Sequence, residues 1–187
     1  MIKTLSLIAL SLFLFLCLAP DAAKPDAKDL KPGLLGEYFD FGSDAVEDFP
    51  NIPADKKPTI KLIDKQINFE STSEEFGQSK LSDHFYVRWT GVLRVAKAGK
   101  YKLFIESDDG SRLAIDGKML IDNNGLHGME EKDGETELKA GDHPIKLELF
   151  ENEGEVGMKL SWETEGLAKE IIPASALFHP ADKDADK

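Results

Sequence analysis

The feature that most limits how this chain folds is the period-two alternation of His84 to Val95, H-F-Y-V-R-W-T-G-V-L-R-V. Phe85, Val87, Trp89, Leu93 and Val95 fall on one side, while Tyr86, Arg88, Thr90 and Arg94 take the other, the pattern of a half-buried strand. After a turn at Ala98-Gly99 the same alternation returns in Tyr101, Leu103 and Ile105, and again in Leu113, Ile115 and Leu120. The last two segments flank Asp116-Gly117, a hairpin signal because both residues tolerate positive φ. Ile145, Leu147 and Leu149 form a further strand, followed by Val156, Met158, Leu160 and Trp162. Gly33 to Phe39 reads as a first strand, and Pro58 to Phe69 as a weaker strand or extended crossing. His127 to Gly134 reads as a Gly- and acid-rich loop, as does the polar stretch Glu70 to Lys80. No stretch of ten residues keeps a helical period. Many short alternating strands punctuated by turns predict an all-β antiparallel sandwich or barrel.

The 187 residues suit one domain with tails. An apolar run from Leu5 to Ala19 behind Lys3 is shorter than the ~20 residues of a spanning helix, so residues 1–23 read as a signal peptide. Lipidation at Cys17 is disfavoured by the bulky Leu16 before it. Cys17 is the sole cysteine, which leaves a mature chain without disulfide or thiol chemistry. Residues 24–32 read as a polar linker, 33–178 as the domain and 179–187 as a polar tail. The expected location is secreted, periplasmic or cell-envelope, with no membrane span after cleavage. A net charge of −12 argues against nucleic acid as a partner.

The chemistry concentrates at Asp108-Asp109-Gly110. Adjacent carboxylates on a turn repel unless water, a cation or backbone donors offset them. Residues 97–110 (K-A-G-K-Y-K-L-F-I-E-S-D-D-G) also resemble 139–154 (K-A-G-D-H-P-I-K-L-E-L-F-E-N-E-G). If both Ala-Gly turns lie at one end of the fold, Asp108, Asp109, Asn152 and Glu153 meet at the other. Asp122, Asn123 and His127 lack the ligand order of an EF-hand and read as a capped turn. The four histidines have no zinc spacing. Trp89 and Trp162 read as core rather than sugar-stacking platforms, and Tyr86 and Tyr101 as candidates for exposure that nothing else singles out. No nucleophile or metalloprotease signature is present, so a catalyst is not expected.

H-F-Y-V-R-W-T-G, S-D-D-G-S-R-L-A-I-D-G-K, I-D-N-N-G-L-H-G and K-A-G-D-H-P-I-K-L-E-L-F-E-N-E-G with L-S-W occur in the order found in the protective-antigen-type (PA-14) domain. G-L-L-G-E-Y-F and I-I-P-A-S-A-L-F resemble that family's ends, so the resemblance covers roughly residues 33–178. It implies a β-sandwich that binds carbohydrate or adheres, rather than a catalyst. In lectin members an aspartate pair and a neighbouring asparagine hold Ca²⁺, and sugar hydroxyls complete the coordination. Asp108 and Asp109 match the pair, and Asn152 is the candidate asparagine. Ala114 stands where the family often has Trp. The implied partner is a glycan or polysaccharide, with cell-envelope proteins as further partners. The alternative is a metal-independent extracellular scaffold for protein contacts.

Overall fold

The computed structural model describes residues 29–182 and 185. The signal peptide read at 1–23 lies outside the described residues. Among those described, no helix is long and apolar enough to cross a membrane.

Thirteen strands make two antiparallel sheets. They are β1 (Leu30–Pro32), β2 (Leu34–Asp40), β3 (Ile60–Asp64), β4 (Asn68–Thr72), β5 (Phe85–Val95), β6 (Gly99–Asp108) and β7 (Ser111–Ile115). The rest are β8 (Lys118–Asn123), β9 (Glu130–Leu138), β10 (Gly141–Glu151), β11 (Val156–Thr164), β12 (Leu167–Ile171) and β13 (Leu177–Pro180). The eight-stranded sheet runs β1-β13-β5-β10-β7-β8, with β2 beside β5 and β3 beside β2. The five-stranded sheet runs β12-β11-β6-β9, with β4 beside β11.

The inward faces carry the alternating residues. Val87, Trp89, Leu93, Leu103, Ile105, Leu147, Leu149 and Leu160 are fully buried in one cluster between the sheets. Trp89 is its centre, with Tyr38 edge-on at 6.0 Å and Phe69 stacked at 6.2 Å. Trp162 packs on Tyr101 at 5.6 Å, so both tryptophans and Tyr101 belong to the core. The Asp116-Gly117 turn has φ of 51° and 75°, the left-handed pair that a two-residue hairpin needs.

Tyr86 alternates outward yet is 2% exposed. With Phe39 and Phe150 it forms a second apolar cluster, joined by Val46, Phe41, Phe49 and Ile52 of the 41–57 loop. Its hydroxyl donates to Glu148 at 2.5 Å, and Arg112 donates to both oxygens of the same carboxylate.

The structure differs from the sequence reading in four places. Residues 58–69 form two strands, one per sheet, because Ile67 plugs the core as the chain crosses between them. The 127–134 stretch is not all loop, since Glu130 begins β9. That strand is an edge strand exposed along most of its length, so it carries no apolar alternation. Cross-strand ion pairs Lys100–Glu135 (2.6 Å) and Lys102–Asp133 (3.4 Å) stand in its place. Leu30–Pro32, within the stretch read as linker, pairs with β13, whose His179 and Pro180 lie in the stretch read as tail. The 70–80 loop contains the fully buried Phe76, which packs on Phe69 at 4.6 Å.

Candidate cation and ligand site

β6 and β10 lie in opposite sheets and end together. β6 finishes at Asp108 and β10 at Glu151, and the Asp108-Asp109-Gly110 turn carries the chain from the small sheet to the large one. The two acidic turns of the internally similar segments therefore meet. Phe150 N–H donates to the Gly110 carbonyl at 2.9 Å. A Cβ on Gly110 would stand 2.3 Å from the Phe150 ring and 3.1 Å from Gly125 N, so close approach is what demands glycine there.

The turn is held from beneath. Ser107 Oγ donates to the Asp109 carbonyl at 2.7 Å and lies 2.6 Å from Ser111 Oγ. Asn123 Nδ2 donates to Ser107 Oγ at 3.2 Å, which ties in the 122–128 loop. The Asp108–Asp109 peptide is cis.

Three carboxylates converge above this base. Asp108, Asp109 and Glu151 each place an oxygen within 4.8 Å of the others, and all three residues are buried. Asp109 is bound on all sides. Its Oδ1 accepts from His127 N–H at 2.9 Å, its Oδ2 from Asn152 N–H at 3.1 Å, and its own N–H donates to Glu151 Oε2 at 3.1 Å. The other oxygen of Glu151, Oε1, is buried without a partner. Burial, then the charges of Asp109 and Asp108, push the Glu151 carboxyl up to about 9, against the Asp109 N–H that favours its ionised form. Burial and then Asp109 push Asp108 up to about 6, with His127 opposing and Glu155 adding. Among the described residues no hydrogen bond reaches the Asp108 carboxylate, so its oxygens are free for a ligand.

Such a set suits a hard divalent cation. Calcium takes six to eight oxygens in adaptable geometry, and three carboxylates supply a charged half of that shell. An unpartnered buried carboxylate oxygen beside two others is costly without a counter-charge, and a cation supplies both partner and charge.

Asn152 stands at this turn in another role. Its backbone N–H holds Asp109, and its Oδ1 accepts from Val46 N–H at 3.0 Å. Period two explains the swap: Ile145, Leu147 and Leu149 face inward, so Glu151 does too, while Asn152 follows Phe150 toward the 41–57 loop. An acid at the next inward position after an apolar run was the signal for Glu151. Glu153 lies aside, 3.2 Å from His84 Nε2. His127 contributes its backbone, and Asp122 Oδ1 caps Asn124 N–H at 3.2 Å, as a capped turn requires.

Two antiparallel sheets packed face to face, with three carboxylates gathered between their ends, define a β-sandwich domain. Residues 30–176 match the PA14 domain family, and the chain belongs to it. It is 32% identical over 151 residues to the anti-sigma-I factor RsgI3 of Acetivibrio thermocellus, covering 80% of this chain but 22% of that protein. Among solved structures it resembles an anti-sigma factor domain-containing protein from Clostridium clariflavum (TM-score 0.67, 31% identity, 82% of this chain and 49% of that one). It also shares its fold with the PA14 sugar-binding domain from an RTX adhesin (TM-score 0.68, 23% identity, 79% of this chain and 98% of that one). The chain thus spans about a fifth of the curated relative and half of the solved one.

Proposed function

We propose that this PA14 domain is an extracellular or cell-envelope carbohydrate-binding module whose ligand is held through Ca²⁺ at Asp108, Asp109 and Glu151. The observation that carries the reading is the convergence of three carboxylates around a buried, unpartnered Glu151 oxygen. Calcium would supply a charged centre to which vicinal sugar hydroxyls can add oxygen ligands without new charge. The chain's own residues do the rest. Asp108 offers an uncommitted carboxylate, and Glu151 offers the unpartnered oxygen. The N–H groups of His127 and Asn152 fix Asp109, and the Asn152 side chain anchors the 41–57 loop rather than the ion. The similar fold of the sugar-binding PA14 domain from the RTX adhesin agrees with a glycan as ligand. The role is recognition, not catalysis.

The test is a calorimetric calcium titration with melting curves, followed by a glycan screen with and without chelator. Saturable binding is expected, and calcium at 100 times Kd adds about 2.7 kcal/mol to stability. Glycan binding should vanish in chelator and in Asp108→Ala. No heat and no melting shift up to about millimolar calcium would overturn the cation reading. The sandwich would then serve as a metal-independent protein-contact scaffold.

A further inference from the structure

Of the five asparagines in the chain, Asn124 alone precedes a glycine. Asn51, Asn68, Asn123 and Asn152 precede Ile52, Phe69, Asn124 and Glu153, each of which carries a Cβ beside its backbone nitrogen. A glycine nitrogen is the least hindered in a chain, since no side chain stands over it. It is therefore the nitrogen best able to attack the side-chain amide carbon of the residue before it.

Both partners of that reaction are accessible. Asn124 is exposed, on the loop between β8 and β9. Gly125 has φ of 129°, and a Cβ built there would meet only the His127 ring, at 3.8 Å, so a small ring has room to form. Among the described residues no hydrogen bond uses the Gly125 N–H, and no protein donor reaches Asn124 Oδ1. The side chain's tie is from Nδ2 to Asp48 Oδ1 at 2.9 Å, which fastens the 122–128 loop to the 41–57 loop. Asn123 and Asn152 are held differently. Asn123 is buried, with Nδ2 donating to Ser107 Oγ and the Glu130 carbonyl, and Asn152 Oδ1 accepts from Val46 N–H.

We propose that Asn124-Gly125 is a spontaneous deamidation site whose conversion unfastens the 41–57 loop from the 122–128 loop. The Gly125 nitrogen, its proton lost to hydroxide, forms a bond to Asn124 Cγ, and the Cγ–Nδ2 bond breaks. Nδ2 takes a proton from water and leaves as ammonia, and a succinimide ring remains. Water then opens the ring. Opening at Cγ gives aspartate at position 124, and opening at the former main-chain carbonyl gives isoaspartate. Either product removes the Nδ2 donor and adds a negative charge beside the Asp48 carboxylate, an arrangement that repels where the amide attracted. Isoaspartate also lengthens the main chain just before His127, whose N–H holds Asp109. The 41–57 loop keeps its ties from Val46 N–H to Asn152 and from Phe49 to the Phe150 ring, so it loosens at Asp48 rather than leaving the sheet.

The test ages the purified protein in mildly alkaline and mildly acidic buffers made with heavy-oxygen water and maps its peptides by mass spectrometry. Asn124 should convert at least about tenfold faster than any other asparagine, to both aspartate and isoaspartate. Conversion should be faster in the alkaline buffer and should carry a heavy oxygen from the water. Asn124→Gln, which would have to close a larger ring, should age intact. Hydrogen exchange then reads the loop. The amides of Val46 to Phe49 should exchange about fivefold faster in the aged protein and in Asn124→Asp than in fresh protein. That difference should shrink as salt rises. Asn124 remaining intact, or a converted protein whose loop amides exchange as in the fresh one, would overturn the inference. Neither readout involves calcium or a glycan, so the outcome is separate from the fate of the ion site.

Discussion

Glu151→Gln tests the site most sharply, because it should move stability in opposite directions with and without calcium. In chelator the folded wild type holds the Glu151 carboxyl near 9, whereas the unfolded chain returns it to its ordinary value of 4.5. A carboxyl raised on folding binds its proton more tightly in the native state. Its stability contribution is therefore complete below pH 4.5 and is lost progressively as pH rises toward 9. Each pH unit in that window costs up to about 1.4 kcal/mol, so pH 5 to pH 8 spans at most about 4 kcal/mol. Asp108, pushed up to about 6, competes for protons in the same cluster and shares part of that cost. A net loss of at least about 2 kcal/mol is expected, some 4–8 °C in Tm for a domain of this size.

Glutamine keeps the shape and the acceptor for Asp109 N–H while carrying no titratable proton. In chelator the variant should melt higher than wild type at pH 8, with a profile that is nearly flat above about pH 7, once Asp108 has lost its proton. In calcium the order should reverse, because the wild type keeps a charged oxygen that the amide lacks. Scanning calorimetry of both proteins, in chelator and in calcium, gives the four curves. A wild-type Tm in chelator that is flat or rises from pH 5 to pH 8, with the variant indistinguishable from it, would refute the reasoning.

Asp108→Asn should weaken calcium binding at least about tenfold while leaving Tm in chelator equal or higher, since no protein donor depends on that carboxylate; isothermal calorimetry reads the first and melting the second. Asp64→Ala should cost about 2–4 kcal/mol in urea denaturation, because it strands the hydroxyl of the buried Tyr38 and Nε1 of the buried Trp89, each 2.7 Å from the same Asp64 oxygen. Glu148→Ala should cost about 3–5 kcal/mol by leaving Arg112 and Lys146 without their buried partner. Burial raises the Glu148 carboxyl, but Arg112, Tyr86 and Lys146 outweigh it and hold it down at about 2. Its contribution is thus present above pH 4.5 and lost as pH falls toward 2, so wild type and Glu148→Gln should converge in stability on acid titration.

What the sequence made legible follows from which side of each strand is dry. β5, β6, β10 and β11 show their alternation because one face meets the opposing sheet. The hairpin at Asp116-Gly117 announces itself because few residue pairs accept its backbone. β9 was invisible because neither face is buried along most of its length, so its residues were chosen for cross-strand charge pairing instead. The outer-face cluster of Phe39, Tyr86 and Phe150 was equally hidden, since it exists only where the 41–57 loop folds back over the sheet. Alternation marks sheet faces and has no term for a loop that covers one.

The site repeats this lesson at the scale of single residues. Asp108 and Asp109 stand out because neighbouring acids before a glycine form a local pattern. Glu151 lies 42 residues from Asp109, and its role is set by register. β6 runs inward through Tyr101, Leu103 and Ile105 to the buried Ser107, and β10 runs inward through Ile145, Leu147 and Leu149 to Glu151. At the matching position one strand thus ends in a hydroxyl that braces the turn and the other in a carboxylate that faces it. A single acid on the inward face costs a fold several kcal/mol in isolation. Placed at the mouth of the sandwich against an aspartate pair, it is relieved by a proton and, on the calcium reading proposed above, would be relieved equally by a cation. That reading is why removing the charge of Glu151 should help the empty domain and harm the loaded one.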